Sequence, residues 1–503
     1  MIQTIHGQNK TSAIIPEILA IFSGMMVALS YPRYDFGFLA WVALVPLFFA
    51  IHKKSLPRSF CLGLLAGFTM YGISLWWVKT LNPALYLLVS ALLALYVGGF
   101  CFVYQFVKKA VDLPDYLLLP PLWVAFEFAR SFGALAHPVG FLGYSQYRHL
   151  TIIQAADILG VTGLSFLIVL VNVLVFSLFR SPSVLRSIKL ISAIGVIFSL
   201  LFAYGWNKLE KSSVNEKLNF RIAIVQPNID YYSGHYNAPK SLEVLDQLTA
   251  RASREKPDLI IWPETVIKEF SLGDQGTVRE LNSIVGKYKS YLLYGRPLEK
   301  RNGGGKETFN SVFLWTPAGH SSAYYSKIHL VPFGDTFNFF KLVRGEGVYA
   351  PGNDLTILKT PKAWFSVAIC FDGLFPELVS QFVNKGAQFI VNVADDSWSN
   401  SLDEYYQHAS MAVFRAVENR IYYVRAANSG LSGVIDPSGR FVKSLPVLKR
   451  GYLTTLIGTK REKTFFNQHG DLVGYFSFII TFAVSLFSLG IGLINYYRIK
   501  TIS

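Results

Sequence analysis

The sequence predicts an α-helical membrane bundle of about eight transmembrane helices joined to an α/β sandwich domain. Three observations carry this expectation. Of the 503 residues, 52% are hydrophobic and mean hydropathy is +0.35, more apolar than a soluble chain of this length requires. The apolar runs are concentrated at the two ends, in 12–206 and 473–497, whereas 207–470 has ordinary globular composition. That middle stretch alternates short apolar strands with helical periodicity, the pattern of a layered α/β domain. The expected boundaries are therefore 1–206 for a seven-helix bundle, 207–470 for the α/β domain and 471–503 for a last membrane helix with its tail.

A bilayer-crossing helix needs about 20 mostly apolar residues. The candidate segments are 13–30, 36–52, 59–79, 84–107, 115–131, 158–180, 187–206 and 473–496. Pro120, Pro121 and Glu127 interrupt the fifth; it spans only if Glu127 faces the bundle interior and neighbours satisfy the carbonyls that the prolines free. The first segment could instead be a cleaved signal peptide ending near Ala28-Leu29-Ser30, but the loop charges fit better with it retained.

Cations gather in alternate loops: Lys53, Lys54 and Arg58; Lys108 and Lys109; Arg180, Arg186 and Lys189; then Arg498 and Lys500 in the tail. Loops 31–35 and 80–83 are poor in them. The positive-inside rule puts the rich loops and both termini in the cytoplasm, and the α/β domain and loop 132–157 outside. The net charge of +15 thus reads as membrane flanks. No dense Lys/Arg run supports a nucleic-acid partner.

Within the α/β domain, Phe220, Ile222, Ile224 and Val225 mark a strand over 218–226, and Leu242, Leu245, Leu248 and Ala252 a helix over 240–256. Leu259-Ile260-Ile261-Trp262 is a short buried strand that Pro263 stops, leaving Glu264 at its tip. A helix over 276–289 and a strand over 291–295 follow. Beyond Cys370 the pattern gives a helix over 374–384, a strand over 387–393, a helix over about 403–420 and a strand over 421–426. Gly303-Gly304-Gly305-Lys306 lacks phosphate-loop spacing and reads as a turn.

Three cysteines are present. Cys61 and Cys101 lie in apolar segments and are expected to be small buried residues. Cys370 is the sole cysteine of the polar domain, so it has no local disulfide partner, and outside the cytosol an idle free thiol is a liability. Without CxxC or HExxH, and with Asp395-Asp396 lacking a histidine nearby in sequence, no metal site is expected. Glu264, Lys327 and Cys370 offer a base, an oxyanion partner and a nucleophile for attack on a carbonyl. Spacing alone leaves other readings open: a strand terminator, a solvated cation and a buried thiol.

The surroundings of these residues narrow the choice. Trp262-Pro263-Glu264, Lys327-Ile328-His329-Leu330-Val331-Pro332-Phe333-Gly334, and Ile369-Cys370-Phe371-Asp372 with Phe375-Pro376-Glu377 resemble the nitrilase, or carbon–nitrogen hydrolase, superfamily. With membrane segments on both sides, the chain resembles the apolipoprotein N-acyltransferase family over nearly its full length. Phe141-Leu142-Gly143-Tyr144-Ser145-Gln146 and the runs Arg415-Ala416-Val417-Glu418 and Arg425-Ala426-Ala427-Asn428-Ser429-Gly430 share in the likeness. The resemblance implies a nitrilase-like αββα catalytic domain outside a bacterial inner membrane. It implies transfer of an acyl chain from a phospholipid, through a Cys370 thioester, to the N-terminal amine of a diacylglyceryl-cysteine apolipoprotein. On it, Glu264 is the base, Lys327 the oxyanion partner and Cys370 the nucleophile. No cofactor is implied, and a monomer is expected.

The chain departs from the family pattern in places. It has Cys370-Phe371-Asp372 where Cys-Tyr-Glu is common, and Asp335 where Phe-Gly-Glu is. Both acids are one methylene shorter, so their hydrogen bonds to Lys327 or the backbone must be re-spaced. Loop 230–238 offers Tyr231, Tyr232 and Tyr236 in place of a common tryptophan. Asp335, Phe371 and Asp372 are expected to support the trio, and Trp398, Phe333 and Phe337 to touch substrate, the last two with Phe339 and Phe340 as a lid. His329 and His408 read as structural histidines. Two alternatives stand beside transfer: a membrane-tethered hydrolase of small amides or nitriles, which Cys-Phe-Asp favours, and a transporter or receptor with a vestigial trio.

Overall fold

The computed structural model describes residues 10–181, 183–212, 218–231, 237–264, 275–302, 305–332, 335, 349–459 and 462–502. Among these, four helices are long and apolar enough to cross a bilayer: Pro83–Ala110, Ala156–Phe179, Val184–Lys211 and Leu472–Arg498. Segments 13–30 and 59–79 correspond to the helices Lys10–Leu29, of 20 residues, and Leu56–Ser74, of 19; two further expected segments are shorter or divided. Segment 36–52 divides into a 3-10 turn, Gly37–Trp41, and a seven-residue helix, Val45–Ile51, which Pro46 opens because its missing N–H costs nothing in a first turn. Asp115–Ala129 holds 15 residues and contains both Pro120 and Pro121. Its Glu127 faces the interior as expected, accepting from Trp123 Nε1 and Leu142 N at 2.8 Å each.

The bundle is closed by backbone contact. A Cβ on Gly63 would lie 2.7 Å from Val97 O, and one on Gly67 2.9 Å from Ala94 Cα. Helices Leu56–Ser74 and Pro83–Ala110 therefore pack with their backbones nearly touching, as small residues permit in membranes. Helices Val184–Ser212 and Leu472–Ile502 leave Phe202, Trp206, Phe482 and Phe487 exposed. So much bare apolar surface suits lipid and not water. Cys61, expected inside, is exposed on this apolar surface: the helix periodicity turns it outward.

Among the described residues the α/β domain has two six-stranded sheets. The first runs β12 (Gly451–Gly458), β1 (Leu218–Gln226), β2 (Leu259–Ile261), β3 (Tyr291–Asn302), β4 (Gly305–Trp315), β5 (Ser321–Ser326). The second runs β11 (Phe441–Ser444), β10 (Gly433–Ile435), β9 (Tyr422–Ala427), β8 (Phe389–Ala394), β7 (Trp364–Ile369), β6 (Leu358–Lys359). Strand alternation sorts the first sheet's side chains. Phe220, Ile222, Leu259 and Ile261 enter the core shared with the second sheet, where Phe220 meets Phe389 at 5.4 Å. Ala223, Val225, Ile260 and Trp262 pack with Leu242 and Leu245 of helix Ala238–Ser253. Helices Pro376–Asn384 and Leu402–Asn419 cover the second sheet, giving the αββα order.

The two ends of the bundle differ. Arg180 and Lys108 meet Asp115 at one end. At the other, the cation-poor loops touch the α/β domain: Arg33 pairs with Asp403 at 2.5 Å, Thr80 Oγ1 donates to Ser399 O at 3.3 Å, and Asp157 accepts from Arg420 at 2.8 Å. The buried turn Leu142–Gln146 carries Tyr144, whose ring meets Phe414 edge-on and whose hydroxyl accepts from Arg415. Two of the motif runs singled out in the sequence thus meet across this junction.

Candidate active site

Strands β1, β2 and β3 run parallel, as do β7, β8 and β9. Ligand sites in such sheets form beyond the carboxyl ends of the strands. Glu264 follows β2, Cys370 follows β7, Asp395 and Asp396 follow β8, and Lys327 follows β5. The fold gathers residues 106 positions apart at one rim because each ends a strand pointing the same way.

Cys370 starts the 3-10 turn Cys370–Leu374 with φ +48°, a left-handed conformation unusual for a side chain with a Cβ. Its carbonyl is held by Asn392 Nδ2 and faces His408 Nε2, both at 3.2 Å. Gly373 lets the turn sit against the sheet, since a Cβ there would stand 2.4 Å from Tyr423 Oη. Asp372 fastens the turn from the other side. Its carboxylate accepts from His329 N at 2.7 Å, Tyr325 Oη at 2.9 Å and Ile369 N at 3.2 Å. The shorter acid thus ties the Cys370 turn to the backbone just after Lys327. Burial raises the Asp372 carboxyl to about 7.

Glu264 is buried, with Oε1 accepting from Asn310 Nδ2 at 2.7 Å and Oε2 from Asp395 N at 3.0 Å. Lys327 Nζ stands 3.8 Å from Glu264 Oε1 and 2.8 Å from Asp335 Oδ2. Burial raises the Glu264 carboxyl above its ordinary value, with Lys327 working against that shift. Burial opposes the charge on Lys327, yet Asp335 and Glu264 outweigh it and hold the ammonium protonated. Burial and the Glu264 charge push the Cys370 thiol well up, so it rests protonated and needs a base to ionise. An anchored carboxylate, a permanent cation and a resting thiol can ionise the thiol and stabilise an oxyanion.

A cavity of about 520 Å³ opens beside Cys370. It is lined by Phe371 and Trp398 from the α/β domain, and by Leu85, Val89, Leu92 and Tyr96 of helix Pro83–Ala110. Trp77 stands edge-on to Trp398, 5.6 Å away, where the two parts meet. Of the expected substrate contacts, Trp398 lines this cavity, whereas Phe333 and Phe337 lie outside the described residues, as do Tyr232, Tyr236, Phe339, Phe340, Gly303 and Gly304. His329 stacks on Phe375 at 3.7 Å and is held neutral, burial lowering it to about 4. His408 is likewise held within the fold, its Nε2 against the Cys370 carbonyl and its Nδ1 between Asp396 and Glu404. Asn310 and Asn392 were missed: each sits mid-strand, where asparagine carries no motif.

The two sheets, and a cysteine at a strand-to-turn junction, define a carbon–nitrogen hydrolase domain. The carbon–nitrogen hydrolase profile matches residues 221–462, and that of the apolipoprotein N-acyltransferase N-terminal domain matches 23–174. An apolipoprotein N-acyltransferase of Geobacter metallireducens is 32% identical, over 91% of this chain and 92% of its own length. Apolipoprotein N-acyltransferase 1 of Treponema denticola is 29% identical over 92% and 94%. A solved amidase of the nitrilase superfamily from Nesterenkonia is 20% identical, covering 52% of this chain and 95% of its own, with a TM-score of 0.38. The chain belongs to the apolipoprotein N-acyltransferase family.

Proposed function

We propose that this membrane acyltransferase moves a fatty acyl chain from a phospholipid to the N-terminal amine of a diacylglyceryl-cysteine apolipoprotein, with Cys370 as the relay. Glu264 takes the thiol proton and the thiolate attacks the ester carbonyl. Lys327 faces the oxyanion, and Glu264 returns the proton to the departing lysophospholipid alkoxide. The acceptor amine then attacks the thioester, loses its proton to Glu264 and leaves Cys370 as a thiol. Asp335 keeps Lys327 in place, and Asp372 with Phe371 keeps the nucleophile turn.

The cavity carries this reading. It joins the thiol to an apolar helix of the bundle, and its size falls within the roughly 300–1,000 Å³ of ligand pockets. Each buried methylene contributes about 0.8 kcal/mol, so a long acyl chain gains much there and a small amide little. The cation-poor loops against the α/β domain support a catalytic domain outside the bacterial inner membrane, with both termini cytoplasmic. We place the bundle in 1–206, the catalytic domain in 207–470 and the last membrane helix with its tail in 471–503. The enzyme works as a monomer without a cofactor.

The test is acceptor choice. Purified protein in phospholipid vesicles is given a diacylglyceryl-cysteine peptide. The expected product is the N-acylated peptide with lysophospholipid. Release of free fatty acid alone, with the peptide unchanged, contradicts transfer and favours a hydrolase.

A further inference from the structure

Helix Leu402–Asn419 brings His408 to the Asp395–Asp396 loop, supplying the histidine that the local sequence lacks. One donor atom from each of Cys370, Asp396 and His408 lies within 4.8 Å of the others. His408 Nδ1 stands 3.5 Å from Asp396 Oδ1 and 3.5 Å from Glu404 Oε1. A tetrahedral zinc with bonds of about 2.0–2.3 Å needs donors about 3.3–3.6 Å apart, so the nitrogen–oxygen edges already fit and the sulfur must approach by about an ångström.

The carboxylate is held less closely on the side facing the cluster. Asp396 is fully buried; its Oδ2 accepts from Arg425 at 2.7 Å, while Oδ1 faces His408 Nδ1 at 3.5 Å, longer than a good hydrogen bond. Cys370, His408 and Glu404 all line the cavity, which gives an ion a way in.

We propose that Cys370, His408 and Asp396 form an inhibitory site for one thiophilic divalent cation, of which Zn²⁺ is the representative, with Glu404 within reach as a fourth ligand. The cation binds the Cys370 thiolate and the His408 Nδ1 lone pair, and the thiol proton and the Nδ1 proton that faces Asp396 and Glu404 leave to solvent. No electron is transferred, and the only covalent bonds broken are S–H and N–H. A thiolate that shares its lone pair with zinc attacks an ester more slowly than a free one, so occupancy slows the first half-reaction. Arg425 and Lys327 place positive charge nearby, which keeps the ion removable by a chelator. Mg²⁺ and Ca²⁺, which prefer oxygen ligands, do not compete.

The test uses the full-length protein in detergent and reads binding apart from catalysis. One equivalent of Zn²⁺ is expected to slow alkylation of Cys370, followed by peptide mass spectrometry, at least tenfold; EDTA restores the rate and Mg²⁺ has no effect. Co²⁺ in its place is expected to give thiolate-to-metal absorption that Cys370→Ala abolishes. His408→Gln keeps a donor for the Cys370 carbonyl, and its metal-free alkylation rate reports whether the nucleophile is undisturbed. That variant, and Asp396→Asn, are expected to need at least tenfold more zinc. An unchanged alkylation rate in zinc, or cobalt absorption that survives Cys370→Ala, overturns the site. Both readouts stand whether or not the acyl acceptor proposed above is right.

Discussion

Cys370 is held in a left-handed backbone conformation that costs about 1–3 kcal/mol, and the surrounding bonds to its turn sustain it. Replacing the thiol tests the chemistry directly. Cys370→Ala is expected to abolish transfer, and Cys370→Ser to leave almost none, because a serine hydroxyl is far less acidic and Glu264 is a weak base for it. Glu264→Gln is expected to lower kcat by about 10²–10⁴-fold. The pH profile gives a sharper check. On the proposed mechanism Glu264 must be ionised to act as base, and burial raises its pKa, so kcat/KM is expected to fall as pH drops through a value above the roughly 4.3 of an ordinary glutamate. Lys327 opposes that rise. Lys327→Met is therefore expected to move the acid limb to still higher pH while slowing the reaction. An acid limb that stays put in Lys327→Met contradicts the pairing.

Among the elements, the turn after β7 and the helix Pro83–Ala110 carry the most. Gly373→Ala forces a Cβ against Tyr423 Oη and Asn392 Nδ2, and is expected to cost about 1–3 kcal/mol of stability, read from thermal unfolding in detergent. Val89→Trp fills part of the cavity. It is expected to slow long-chain donors by about fourfold for each methylene excluded, while short-chain donors keep their rate. Equal losses for both would show that the cavity does not hold the chain. Strands β1, β2 and β8 were legible in sequence because alternation and short apolar runs are local signals. The break at 42–44 in segment 36–52 was not, since hydropathy sums over a window and ignores whether a helix is continuous. Likewise His408 meets Cys370 across 38 residues, a contact set by the packing of a helix on a sheet and not by spacing.

For the whole molecule, the junction between bundle and α/β domain rests on buried polar pairs. Arg420 meets Asp157, and Arg415 pairs with Glu418 beside Tyr144. Removing one partner of a buried pair costs about 3–5 kcal/mol. Arg420→Met is expected toward the lower end, because Lys208 and Tyr204 still hold Asp157. Sidedness is testable on the same scale: a cysteine at Ser55 is expected to react with impermeant reagents only from the cytoplasm, and one at Lys79 only from outside. Fold class and the convergence of Glu264, Lys327 and Cys370 were readable because membrane length, strand ends and a lone thiol in the polar domain are each constrained by chemistry. Where a segment divides was not, because packing decides where a helix kinks.

The central claim is that an acyl chain passes through the Cys370 sulfur. Protein incubated with phospholipid and no acceptor, then digested and analysed by mass spectrometry, should carry one acyl group on the Cys370 peptide. That group should be released by hydroxylamine and discharged onto a diacylglyceryl peptide added later. Turnover to N-acylated peptide with no acyl group ever detectable on Cys370, or undiminished in Cys370→Ala, would contradict the account.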